Sequence, residues 1–94
     1  MRDEDFEWDD AKAVANRNRH GVLFDIARGV FADPFAVEWF DDREDYGEAR
    51  VVIVGMVEGR LLCVIYTMRE ERTRIISARV ATVRERRRYH EENA

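Results

Sequence analysis

A set of arginines, one histidine and one carboxylate are the side chains of this chain whose types and places could do chemistry together: Arg50, Arg69, Arg79, His20 and Glu48. The reaction that such a set suits is cleavage of a phosphodiester by a neighbouring ribose 2′-hydroxyl. It needs a base, an acid and positive charge on the developing phosphorane. Arginine forks supply that charge in a site shielded from water, and a histidine or carboxylate moves protons. Arg79 ends a strand-like segment, so its backbone is firm; the competing reading is an ion pair with one of the 20 acidic residues. Glu48 and Arg50 stand at i and i+2, positions that share a face in an extended segment. They form either an acid–base and phosphate pair or a surface ion pair. Arg69 lies at a hairpin exit, where a solvated turn charge is the alternative. His20 falls in the last turn of a helix, where capping or packing competes with catalysis. Arg84, Arg86, Arg87 and Arg88 with Tyr89 are either a nucleic-acid patch or a solvated helix face. No recognition-helix pattern accompanies them, which weighs against DNA binding by this segment alone.

Other chemistries find no support in the spacing. His20 and His90 lie far apart in the chain with no cysteine pair between them, and the acidic residues follow no calcium-loop pattern. There is no phosphate loop, dinucleotide fingerprint or serine-hydrolase elbow. Cys63 sits in an apolar run and reads as a small core residue. The expectation is therefore a site with no metal and no cofactor.

The elements that must position these side chains follow from periodicity. Residues 4–8 alternate apolar and acidic, which predicts a short edge strand. Asp9 or Asp10 can cap a helix that runs to His20, with Gly21 at its C-terminal stop. Ala11, Val14 and Ala15 would be its apolar stripe; Lys12, Asn16 and His20 would line one polar face. A second helix is expected over 24–31, ended by Asp33-Pro34. Residues 36–40 read as a strand and 41–48 as a charged loop. The segments 50–57 and 60–68 are apolar on both faces and read as central strands joined by a Glu58-Gly59 turn. After a turn at 69–72, residues 73–79 form a further strand. Thr82-Val83-Arg84-Glu85 fits a capping box for a last helix to about Glu92. Its only apolar residues are Val83 and Tyr89, so it either lies on the surface or awaits a partner. The order β-α-α-β-β-β-β-α gives one α+β domain over 1–94, with helices against one face of an antiparallel sheet.

Composition bounds the rest. With 46% hydrophobic and 38% charged residues, the chain is a folded domain with a small core. The net charge of −4 does not announce a nucleic-acid binder, but its distribution is uneven. Residues 1–47 hold 6 basic and 13 acidic side chains; residues 48–94 hold 10 basic and 7 acidic. Of the 16 basic residues only Lys12 is lysine. Residues 1–10 are acidic where a leader would be basic and then apolar. No apolar run reaches the ~20 residues of a membrane helix. The lone Cys63 rules out an internal disulfide, so the cytoplasm is the expected compartment and no membrane association is expected.

Several segments, in this order and with these gaps, resemble the BrnT family of toxins. They are Phe6-x-Trp8-Asp9-x-x-Lys12, Asn16, Arg19-His20-Gly21-Val22 and Phe24; Val30-Phe31-x-Asp33-Pro34; Glu48-x-Arg50 and Gly55; and Arg74-Ile75-Ile76-Ser77-Ala78-Arg79, Ala81, Glu85-Arg86 and Tyr89. The resemblance implies a RelE-like fold: two N-terminal helices on an antiparallel sheet of four to five strands, and a C-terminal helix. It implies a metal-independent ribonuclease that stops translation. It also implies a BrnA-like antitoxin as partner in a hetero-oligomer, with operator DNA contacted only through that antitoxin. Carried onto this chain, the family's catalytic positions would be His20, Glu48, Arg50, Arg69 and Arg79, with Lys12, Arg74 and Tyr89 contacting RNA. The chain departs from the family at position 80, often basic and here Val80, and at position 23, often a helix-capping serine and here Leu23. An acidic net charge is also unusual for a ribonuclease toxin. The alternative reading is a catalytically inactive RelE-like binding module that acts only with its antitoxin in operon repression.

Overall fold

A computed structural model describes residues 1–94. The elements run β1 (Phe6–Glu7), α1 (Asp10–His20), α2 (Phe24–Ala27), a 3-10 turn (Arg28–Ala32), β2 (Val37–Phe40), β3 (Val51–Val57), β4 (Arg60–Arg69), β5 (Arg72–Val80) and α3 (Val83–Glu92). The Asp9 side chain caps α1 by accepting from the Lys12 N–H, and Gly21 closes it at φ 71. Glu58 and Gly59 both have positive φ, the geometry of the tight turn that matches strand twist. Thr82 and Glu85 form the reciprocal capping box of α3. The second helix is shorter than expected. Its α-helical part stops at Ala27 and continues as a 3-10 turn.

The sheet order is β1-β5-β4-β3-β2. Strands β2 to β5 are antiparallel, but β1 pairs parallel with β5, so the sheet is mixed, not antiparallel. The parallel pair arises because α1, α2 and three strands separate β1 from β5 and return the chain in the same direction.

The helices do not share one face. Trp8, Phe24, Ala27 and Val30 pack with Ile53, Leu62, Val64 and Ile75 on the first face. Helix α3 lies on the second, where Tyr89 and Ala81 join Val54, Leu61 and Cys63. Fully burying a side chain such as Phe24 or Leu62 contributes roughly 1.5–3 kcal/mol, so the first face carries most of the stability. No helix is long and apolar enough to cross a membrane.

Helix α1 presents a different side to the protein than its apolar spacing suggests. Ala11, Val14 and Ala15 are exposed, and Asn16 is buried with 7% of its surface accessible. Its Nδ2 donates to the carbonyls of Ala78 (2.8 Å) and Val22 (3.0 Å), and its Oδ1 accepts from the Ala78 N–H at 3.1 Å. The side-chain amide thus stands where a neighbouring strand's peptide group would, satisfying the outer edge of β5 beyond short β1.

Close packing also fixes Gly55 in β3. A Cβ there would meet the Val30 carbonyl oxygen and Cβ, each at 3.0 Å. Gly55→Ala is predicted to destabilise the fold by about 1–3 kcal/mol through overpacking. A urea midpoint equal to wild type would show that the 3-10 turn moves aside freely.

Candidate active site

One irregularity in β5 decides which side chains meet. Ile65 pairs with Ser77 but Tyr66 pairs with Ile75, which leaves Ile76 as a bulge. Strict alternation would put Arg74 and Arg79 on opposite faces. The extra residue resets the pleat. Arg79 stands opposite Cys63, Arg74 opposite Thr67, and Arg72 opposite Arg69, all on the second face. That face is covered by α3 around Leu61, Cys63 and Val54, and its Thr67 is buried beneath the 46–50 segment, so the face is exposed only in part, toward Arg69, Arg72 and Arg74.

Two clusters form on it. At the far end, Glu48 lies between Arg50 (Nε–Oε1 3.8 Å) and Arg69 (Nη2–Oε2 3.5 Å). The Arg50 guanidinium stacks over the Tyr46 ring at 4.0 Å, and its Nε is buried without a hydrogen-bond partner. The Thr67 hydroxyl donates to the Ala49 carbonyl at 2.7 Å and so ties this loop end to β4. At the near end, Arg79 forms a two-pronged ion pair with Glu85, Nη1–Oε1 2.7 Å and Nη2–Oε2 2.8 Å. Glu85 also accepts from the Thr82 N–H at 2.9 Å and from the Cys63 thiol at 3.5 Å. From the Cys63 level to the Thr67 level is four residues of β4, which offsets the clusters by about 13 Å.

Burial alone would raise the Glu85 carboxyl; the Arg79 fork and the Thr82 N–H outweigh it and hold the pKa down to about 2. Burial and the adjacent Glu85 carboxylate push the Cys63 thiol up to about 12, so it is no nucleophile at neutral pH. A carboxyl depressed in the folded state stabilises the fold above its unfolded pKa and loses that contribution as pH falls through its folded pKa. Stability is therefore predicted to fall by on the order of 2–3 kcal/mol between about pH 4.5 and pH 2 on account of Glu85. Denaturant titrations at several pH values test this. In Glu85→Gln the acid loss should shrink by that amount; an identical acid profile would contradict it.

The remaining sequence candidates lie elsewhere. Arg74 shares the second face but is paired with Glu7 of β1 at 2.9 Å. Tyr89 is buried, and its hydroxyl donates to Asp33 at 2.8 Å, latching α3 to the α2–β2 connection. Burial and the Asp33 carboxylate push that phenol up to about 12. The Lys12 ammonium is exposed and makes no ion pair. His20 is half-buried and makes no hydrogen bond, one helical turn beyond the Asn16 that grips Ala78, the residue before Arg79. The sheet thus gathers Glu48, Arg50, Arg69, Arg74 and Arg79 on one face, while Lys12 and His20 ride on α1.

Sequence reasoning did not reach three further residues. Glu85 was legible as a cap but not as the partner of Arg79 six residues earlier. Arg43 forms a two-pronged pair with Asp41 (2.7 and 2.8 Å), and Trp39 lies under Arg88 with the guanidinium 4.1 Å from the ring centre. A groove of 740 Å³ runs between α3 and the end of β2, with Trp39, Val52 and Ile65 as its floor and Arg79, Arg43 and Glu85 on its walls.

Fold and site together define a small α+β protein with an arginine-rich sheet face beside a charged groove. The chain belongs to the BrnT family, described as the ribonuclease toxin of type II toxin–antitoxin systems, which it matches over residues 8–85. A toxin of such a system has an antitoxin protein as its partner. A comparison with curated proteins gives no match.

Proposed function

We propose that the chain is a cytoplasmic, metal-independent endoribonuclease, a single RelE-like toxin domain that cleaves RNA, blocks translation and is neutralised by a BrnA-like antitoxin. The observation that carries this reading is the shared face of Glu48, Arg50, Arg69, Arg74 and Arg79, produced by the Ile76 bulge. In the reaction the ribose 2′-oxygen forms a bond to the adjacent phosphorus and the bond to the 5′-oxygen breaks. A 2′,3′-cyclic phosphate and a 5′-hydroxyl result. Glu48 is the group on this face able to take the 2′-proton and, once protonated, to return one to the leaving oxygen; His20, on α1, lies apart from it. Arg50 and Arg69, beside Glu48, hold the scissile phosphate and stabilise its added charge, and Arg79, about 13 Å along the face, holds another phosphate of the same strand. RNA bound along the face bridges the two clusters. Operator DNA is contacted through the antitoxin in a hetero-oligomer.

Induced expression should arrest growth, and co-expression of the neighbouring antitoxin gene should restore it. Normal growth with the folded protein at high level would sink the toxin reading. A second reading, a catalytically inactive binding module, draws on one observation: both terminal nitrogens of Arg79 are held by Glu85, leaving less of the fork for a phosphate. It predicts tight antitoxin binding without RNA cleavage.

A further inference from the structure

The groove beside Arg79 has a floor that the phosphodiester chemistry does not use. Trp39 projects from edge strand β2 next to Val52 and Ile65, giving an apolar surface inside a 740 Å³ groove, a volume suited to a small organic group. The indole is already covered by a flat cation, with the Arg88 guanidinium 4.1 Å from the ring centre. A nucleobase stacks face to face on an aromatic ring in the same position. Arg88 is half exposed and also paired with Glu92 at 2.8 Å, so it keeps a partner when it leaves the ring.

The charges around the groove sort in one direction. Asp41 is occupied by Arg43, Glu85 by Arg79 and Glu92 by Arg88, whereas Arg84 and Arg87 have no acidic partner. Asp42 and Glu91 also line it unpaired, so the groove is mixed in charge and its pull on RNA is local, at the arginines.

We propose that Trp39 is a stacking platform for one unpaired base of a single-stranded RNA, with Arg88 swinging aside to cover the base or to rest on Glu92. This rests on the ribonuclease reading and adds a subsite to it. The subsite fixes where the strand lies relative to Arg79 and gives the enzyme a preference among single-stranded segments.

The test uses the full chain and a short single-stranded RNA with every 2′-hydroxyl methylated, which cannot be cleaved. It should quench tryptophan fluorescence. The quench should vanish in Trp39→Phe, which leaves the buried Trp8 in place. In cleavage assays Trp39→Ala should raise KM about tenfold or more, the size of one base–aromatic stack, and lower kcat by less. No quench in the wild type, a quench that survives Trp39→Phe, or an unchanged KM in a folded Trp39→Ala protein would overturn the platform. Quenching by the antitoxin but not by RNA would also overturn it and make the groove a protein site. Loss of the platform with cleavage intact leaves the ribonuclease reading standing. A Trp39-dependent quench by RNA with no cleavage supports the platform and removes the ribonuclease reading instead.

Discussion

Arg79→Ala is expected to lower RNA cleavage by about 10–100-fold, the loss of a charge-assisted contact to a phosphate of the bound strand, about 1.5–3 kcal/mol. The substitution also strands Glu85, whose side chain is 14% exposed, without its main partner. A largely buried carboxylate left this way costs about 1–3 kcal/mol, so lost activity alone would be ambiguous. The double variant Arg79→Ala/Glu85→Gln resolves it. Removing both charged partners together is nearly neutral for stability, yet the fork that meets the phosphate is still gone. The double variant should unfold near the wild-type urea midpoint and show the same loss of cleavage as Arg79→Ala. Full growth arrest by the folded double variant would remove Arg79 from the mechanism. Arg79→Lys should recover stability only in part, because a point charge cannot reproduce the two-pronged pair.

Asn16→Ala is expected to cost about 3–5 kcal/mol, a large share of what a domain of this size holds in reserve. The substitution removes three hydrogen bonds at once and leaves the Ala78 N–H, the Ala78 carbonyl and the Val22 carbonyl buried without partners. The damage falls beside the active face, since Ala78 precedes Arg79 in β5. Asn16→Asp keeps an acceptor for the Ala78 N–H but loses both donated bonds and buries a charge, so it should fare no better. Urea unfolding measures both. A loss under about 1 kcal/mol in Asn16→Ala would mean that water or α1 itself replaces the amide.

Local signals in the sequence located most elements, and the reasons they did so are physical. Asp9 and Gly21 bracket α1, Glu58-Gly59 turns the β3–β4 hairpin, and Thr82 with Glu85 starts α3. Each is a contact among residues at most four apart. What escaped depends on contacts far apart in the chain. Asn16 looked like part of a polar face because its partner Ala78 is 62 residues away. The exposed stripe of Ala11, Val14 and Ala15 has the spacing of a buried one, and only the sheet edge decides between them. The parallel pairing of β1 and the placement of α3 on the second face are likewise set by the whole sheet.

The site was legible to the same degree. The pattern Arg74, Ser77, Arg79 breaks the alternation of a strand, and that break is the trace of the Ile76 bulge. Glu48 and Arg50 do approach one another, as their i, i+2 spacing suggests. For Arg79 the ion-pair reading is realised, with Glu85 as the acid. Tyr89 was grouped with a basic run by neighbourhood in sequence, whereas the turn of the helix points it inward to Asp33. Trp39 and Arg43 gave no signal, because their grouping with Arg79 and Arg88 is made by α3 crossing the sheet.

The measurement that bears most directly on the central claim is RNA cleavage by the purified chain in excess EDTA, with and without the antitoxin. The account predicts cleavage that persists in chelator, leaves 2′,3′-cyclic phosphate ends and stops when the antitoxin is added. Absence of cleavage on both free and ribosome-bound RNA, with the antitoxin still binding, would contradict it and favour the binding-module reading.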